Sequence, residues 1–424
     1  MLGAMRYRVL AALATLASCK GTPALDKKAA QAATLPPAAA ATAAPVPSKP
    51  GVMVEGGVRP HHEEPVVECP AKIAETADDD TRVSALIDEA NKQIEAGSFG
   101  AAWTCADRAA DLAPTSVEAH HLRGAALAAL GRDTDAQVAY GLALALDPDD
   151  PETLRAVADF YINGKGERGR DALRLGLELA QRGSRRALAR RKRNIPLAAD
   201  LAVLEAQALN DLGRSDEALE RVDAALRIAP GRGDALHEKG VALFDLSRFA
   251  DAKGAFQKAL AIQPDDAYTH QMYGLTLEQL RDPQADAELH RAIELAPTEL
   301  SPPVLVDAGE FRKEIDTVVT TLTPDRKARV RAIKIEVADL PDPADLKAVS
   351  PPFPPTILGL YRGPVGRSPA AGDDPPSIVL YRKNLARAVK TRAELTEQIR
   401  DTLLHEIGHL EGLDEDDLRR RGME

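Results

Sequence analysis

Apolar positions along this chain follow three rhythms, and each predicts a different kind of element. Near the C-terminus Leu395, Ile399, Leu403 and Ile407 recur every four residues, the stripe a helix buries at about 3.6 residues per turn. Thr391 and Glu394 stand ahead of it at capping-box spacing, which places the start of that helix. Around residue 335 the rhythm shortens: Ile333, Ile335 and Val337 alternate with Lys334 and Glu336, as in a half-buried strand. Two more short strands are expected at Ile357 to Tyr361 and Ile378 to Arg382, separated by a Pro/Gly/Asp-rich stretch. With a helix over Phe311 to Leu322, these elements predict an α+β domain spanning 303–424. Between 81 and 298 the rhythm is longer. Pro114 and Pro148 are 34 residues apart, as are Pro230 and Pro264, and Pro297 follows one residue early. Each closes a Leu/Ile-x-Pro segment.

That period resembles the tetratricopeptide repeat, a helix-turn-helix unit of about 34 residues. Six repeats are expected: 83–114, 117–148, a looser one at 151–182, then 199–230, 233–264 and 267–297. The packing residues of the family fall on Gly240, Ala252, Phe256, Ala259 and Pro264 in the fifth, and on Gly124, Ala136, Tyr140, Ala143 and Pro148 in the second. The resemblance implies an all-α superhelix whose concave face holds a peptide or a protein partner. The third repeat carries an insertion in which Arg182, Arg185, Arg186, Arg190, Arg191, Lys192 and Arg193 crowd together without an acid. They read either as a contact for an acidic partner or anionic lipid, or as a solvated helix extension.

The C-terminal helix carries His405-Glu406-Ile407-Gly408-His409. Two histidines four apart share a helix face and can grip one Zn2+, with the intervening glutamate in reach of a water on the metal as general base. They fall beside the buried stripe rather than in it. Gly412 can adopt the left-handed conformation that ends a helix, which turns Asp414 and Glu415 back as a third, carboxylate ligand. Residues 303–424 resemble the small bacterial metallopeptidases with a minimal zincin-like fold, through Ile357-Leu358-Gly359-Leu360-Tyr361, Ser377 to Arg382, the His405 to His409 motif and Asp417 to Gly422. That resemblance implies metal ligands at His405, His409 and Glu415, with Asp414 the alternative third ligand, and Glu406 as the catalytic base. The family's final Asp falls on Glu415, one methylene longer. Tyr361, Tyr381 and Arg382 read as packing residues in preference to carbonyl-polarising ones.

Composition narrows the field. A net charge of −11 argues against nucleic acid as partner, since such proteins carry a basic footprint. Residues 1–19 read as a secretory signal: Arg6 and Arg8, an apolar run from Val9 to Leu16, then Leu16-Ala17-Ser18-Cys19, which resembles a bacterial lipobox. By that resemblance Cys19 is lipidated and anchors the chain to a membrane, with Lys20 after it leaning toward the outer membrane. Residues 20–80 form an Ala/Pro-rich linker. Cys69 and Cys105 remain, either as a disulfide or as two free thiols. The sequence thus predicts a multidomain protein: a tetratricopeptide superhelix followed by a small α+β zincin-like domain. Its expected function is an envelope-tethered zinc metallopeptidase whose repeats recruit a protein substrate or partner; the alternative is a non-catalytic scaffold lipoprotein with a vestigial or structural metal site.

Overall fold

A computed structural model of the protein describes residues 67–424, apart from 75, 165–168, 190–192, 364–374, 414 and 421–424 and the side chains of 415, 416 and 419. The signal segment, Cys19, most of the linker, and Arg190, Arg191 and Lys192 lie outside the described residues, as do Asp414 and the Glu415 side chain.

The repeats are consecutive antiparallel helix pairs: α1 Asp79–Glu95 with α2 Phe99–Leu112, α3 Val117–Ala129 with α4 Asp133–Leu146, α5 Pro151–Asn163 with α6 Arg170–Ala189, α7 Ile195–Asp211 with α8 Ser215–Ile228, α9 Gly233–Asp245 with α10 Phe249–Ile262, and α11 Ala267–Gln279 with α12 Ala285–Leu295. Side-chain caps start several of the first helices: Asp78, Ser116, Asp150 and Asn194 each accept a backbone N–H from the first turn. The turn inside a pair needs one left-handed residue. Gly97, Gly131 and Gly213 supply it with φ of 72°, 76° and 73°, while Ser247 and Arg281 take the same place at 55° and bear the Cβ strain. Small residues opposite aromatics set the helix spacing. A Cβ on Gly124 would lie 2.6 Å from the Tyr140 ring, and one on Gly240 would meet Phe256. A polar staple also recurs between pairs: His121 Nδ1 meets Thr153 Oγ1 at 3.1 Å, and His237 Nδ1 meets Thr269 Oγ1 at 2.7 Å.

Cys69 is joined to Cys105 of α2, which ties the segment before α1 to the first pair. Part of the basic run is explained by ion pairing: Arg182 and Arg186, in the long helix α6, both reach Asp149 across the repeat boundary, at 2.8 and 2.7 Å.

After Leu300 the chain builds α13 Ala308–Thr321, α14 Pro324–Arg331, β1 Lys334–Ala338, α15 Pro343–Leu346, β2 Gly359–Arg362, β3 Ser377–Tyr381, α16 Arg382–Arg387, α17 Arg392–Leu410 and α18 Glu415–Arg420. The sheet order is β1-β3-β2, with β1 parallel and β2 antiparallel to β3. Arg382, expected to end the third strand, instead opens α16, and its guanidinium donates to Asp339 and to the Val306 carbonyl. β3 is buried throughout, and its alternation is used on both faces. Ile378 and Leu380 join Phe311, Ile315, Leu395, Ile399, Leu403 and Ile407 in one core. Val379 and Tyr381 point the other way and share a second core with Leu243, Phe244, Phe249, Tyr273 and Leu277 of the last two repeats. Each such large buried side chain contributes about 1.5–3 kcal/mol, so the sheet is held to the repeats as well as to its own helices. Lys383 and Arg387 add ion pairs to Glu278 of α11 at 2.8 and 2.5 Å, and Glu68–Glu424 falls within one compact unit.

Candidate active site

α17 begins where its sequence says it should. Thr391 accepts the Glu394 N–H while the Glu394 carboxylate takes the Thr391 N–H, a reciprocal capping box. Leu395, Ile399, Leu403 and Ile407 are fully buried in one line, which fixes the rotation of the helix about its axis. That rotation leaves His405 and His409 half-buried on the adjoining face, one turn apart.

The two imidazoles converge. Their Nε2 atoms lie 3.1 Å apart and their ring centroids 4.8 Å apart. Two ligands at about 2.0–2.1 Å from one zinc in a tetrahedral arrangement have donor atoms roughly 3.3–3.4 Å apart, so this pair is already close to a ligating geometry. His409 Nδ1 faces the Leu413 carbonyl at 3.2 Å. A proton on Nδ1 donated there leaves Nε2 with its lone pair directed at the partner ring, the kind of outer contact that orients a ligating histidine. The Leu413 carbonyl is placed by the end of the helix. Gly412 takes φ of 81°, its N–H bonds the His409 carbonyl, and the Leu413 N–H bonds the Gly408 carbonyl, both at 3.0 Å. This is the Schellman ending, and it reverses the chain immediately after the motif. The third ligand expected from sequence, Glu415 or Asp414, lies outside the described side chains. Among the described residues no group of three acids, imidazoles or thiols is gathered at metal-holding distance.

Glu406 is 2% exposed and points from α17 into the edge strand β2. The Tyr361 N–H donates to its Oε2 at 2.7 Å. Gly359 lies under the other oxygen: a Cβ there would stand 3.2 Å from Glu406 Oε1 and 2.7 Å from Thr402 Cγ2. The carboxylate therefore sits in a slot formed by one glycine and one backbone donor. The quoted Ile357 to Tyr361 segment contains both, but nothing in its pattern shows that Gly359 and Tyr361 serve Glu406. Register does: Tyr381 N–H bonds the Leu358 carbonyl, so alternate residues 358, 360 and 362 face β3, and 359 and 361 turn their backbone groups outward.

Tyr381 and Arg382 are structural. Tyr381 is fully buried with its hydroxyl 3.4 Å from Asp345, and burial drives its phenol far above the usual range. Arg362 pairs with Asp345 at 2.6 Å and with Glu336 at 3.3 Å, which ties β2 to β1 and α15.

Residues 330–423 match the family model of the zincin-like metallopeptidases, and residues 233–266 match that of the tetratricopeptide repeat. The C-terminal domain is zincin-like. In this chain it follows a tetratricopeptide superhelix. No curated protein matches the chain. Among solved structures, Pseudomonas aeruginosa pilF is 15% identical with a TM-score of 0.44, covering 52% of this chain and 94% of that one. PilW, a type IV pilus biogenesis factor, is 16% identical with a TM-score of 0.44, covering 51% and 94%. YrrB, a TPR protein with an unusual peptide-binding site, is 16% identical with a TM-score of 0.34, covering 46% and 93%. The zincin-like domain supports peptidase chemistry, the family implies zinc, and the repeats support a protein or peptide partner.

Proposed function

We propose that this protein is a zinc-dependent metallopeptidase of the bacterial envelope, whose repeats bring a protein substrate to the C-terminal domain. The observation that carries the reading is the convergence of His405 Nε2 and His409 Nε2 at 3.1 Å, on a helix whose intervening Glu406 is buried with its carboxylate held by β2. His405, His409 and Glu415, or Asp414 in its place, would hold the ion. Zinc in such a site supplies Lewis-acid polarisation of a carbonyl and a water acidic enough to give up a proton near neutral pH. Glu406 then has the role of proton acceptor. Its slot on β2 fixes the carboxylate's position, and low exposure keeps bulk water from competing for it. Peptide carbonyls are the substrate class for which a polarising metal and an adjacent carboxylate are jointly suited.

The envelope assignment rests on Arg6, Arg8, the apolar run and the Leu16-Ala17-Ser18-Cys19 lipobox, with lipid on Cys19 as the anchor. The Cys69–Cys105 disulfide supports an oxidising compartment.

The decisive experiment compares wild type with Glu406→Gln for zinc per chain and for cleavage of a broad peptide library. Expected are one zinc in each, and cleavage by wild type alone, with a rate drop of at least ~10²–10⁴ in the variant. Chelation abolishes the wild-type activity and zinc restores it. Equal cleavage by both proteins, or none by either, overturns the peptidase reading and leaves the non-catalytic scaffold.

A further inference from the structure

The repeat pairs wall a cavity of about 1700 Å³ that reaches from Asn91 and Ile94 of α1 to Lys390, the residue before the cap of α17. Most charges on its wall are already answered. Arg232 pairs with Asp200 and Asp234, Asp265 with Arg291, and Tyr268 and Thr269 donate to Glu299 and Asp266. The wall's cations without a partner among the described residues are Lys390, exposed at the far end, and Arg155, half-buried on α5. A guanidinium withdrawn from water with no counter-ion favours one that arrives with a ligand.

Beside Arg155 stands a second unanswered group. Tyr140 is 4% exposed, its ring wedged against Gly124 and in contact with His121 and Phe160. Its hydroxyl has no hydrogen-bond partner among the described residues, yet it is not sealed off from the cavity that Tyr140 lines. Buried hydroxyls are ordinarily paired, so this one is left for something in the cavity. The Arg155 charge acts on both Tyr140 and His121, which puts the guanidinium near the two rings. His121 offers it no negative charge. Thr153 gives its hydroxyl proton to Asp150 at 2.8 Å, so toward His121 it only accepts, which leaves the ring proton on Nδ1 and a lone pair on Nε2. Asp159, one turn further along α5, also acts on Tyr140, but its carboxylate accepts from Asn163 Nδ2 at 2.8 Å and makes no ion pair with Arg155.

We propose that Arg155 and the Tyr140 hydroxyl form a subsite for a carboxylate, brought by an aspartate or glutamate side chain of a protein segment lying along the cavity. The inference deepens the recruitment reading and rests on it. A guanidinium presents paired N–H donors that match the two oxygens of a carboxylate, and the phenol adds a third donor. A side chain is favoured over a chain end by position. The wall continues from this subsite to α1 on one side and to Lys390 on the other, so a segment passes through it in both directions.

The test is selection of displayed random 12-residue peptides on the full chain, followed by affinity measurements on one retained peptide. Peptides held by wild type are enriched in Asp or Glu at one position. The chosen one binds Arg155→Gln about tenfold more weakly and Tyr140→Phe about threefold more weakly. Replacing its acid by the matching amide costs wild type about the same tenfold and costs Arg155→Gln little more. Arg174→Gln, an exposed cation on α6, changes nothing. Should Arg155→Gln not fold, Tyr140→Phe, which keeps the packed ring, carries the comparison. Peptides retained equally by wild type and variants, without acidic enrichment, sink the subsite and leave recruitment standing. No retained peptide sinks both. If amidating the peptide's C-terminus abolishes binding while its acidic side chains prove dispensable, the ligand is a chain end and the proposal is overturned.

Discussion

The repeats and the zincin-like domain each contain a glycine with no room for a Cβ, and the two differ in what they protect. Gly240 in α9 lies against the Phe256 ring, wholly inside one helix pair. Gly359 in β2 lies against Thr402 and Glu406, which belong to a helix more than forty residues further along. In the first region close packing is local and repeated; in the second it joins distant segments and holds the Glu406 carboxylate proposed as the base. Damage in a repeat is therefore expected to lower stability, whereas the same damage at the sheet edge moves the carboxylate to which the proposed chemistry is assigned.

The largest effect expected from that contrast is on Gly359→Ala. The added methyl displaces Glu406 or Thr402, and a shift near 1 Å at such a group costs about 10²-fold in kcat/KM. Gly240→Ala has to move Phe256 and loses roughly 1–3 kcal/mol of stability while kcat/KM stays within twofold. Melting curves and peptide turnover on both variants check it; equal activity loss in the two would erase the distinction.

Next in size is the junction between the regions. Lys383→Ala with Arg387→Ala strands Glu278, whose side chain is 4% exposed. Breaking a fully buried pair costs about 3–5 kcal/mol, and the partial exposure of both cations brings the expected loss to roughly 2–3 kcal/mol. Denaturant unfolding reads it, and Glu278→Gln in the same background returns part of the loss. If stability is unchanged by the double variant, the domains are held by the apolar contact of Val379 and Tyr381 alone.

The smallest effect concerns pH. Crowding by protein gives Asp211, Glu238 and Asp245 folded values of about 7, 8 and 7, against ordinary values near 4. Between those limits the folded chain holds more protons than the unfolded one, so stability falls as pH rises. The contribution is complete below about pH 4 and is lost as pH passes through 7 to 8. The Asp211→Asn, Glu238→Gln, Asp245→Asn variant is therefore expected to lose fewer degrees of Tm between pH 5 and 8 than wild type. Parallel pH slopes in the two proteins contradict the crowding of these acids.

Much of this was legible in advance, for reasons specific to each element. The helix pairs follow from a 34-residue period because each contact is made by the neighbouring repeat, so the same small and aromatic residues return at the same place. The C-terminal helix could be oriented from Leu395, Ile399, Leu403 and Ile407, and the side-by-side His405 and His409 follow from that. Gly412 announced the reversal that ends it. The short helices α14 to α16 were not anticipated, since four to eight residues are too few to show a period. Nor did the alternation of β3 reveal that both of its faces are covered, one by α17 and one by another domain.

The sequence by itself determined which residues bring chemistry: two imidazoles and a carboxylate on one helix. Periodicity and spacing along a helix are local geometry, so they survive in one dimension. Tertiary structure alone decided which groups find partners. It brought the Tyr361 N–H to Glu406, and it gave Lys383 and Arg387 to Glu278. Those outcomes depend on strand register and on one domain docking against another, and such distances between remote segments are written in no local pattern.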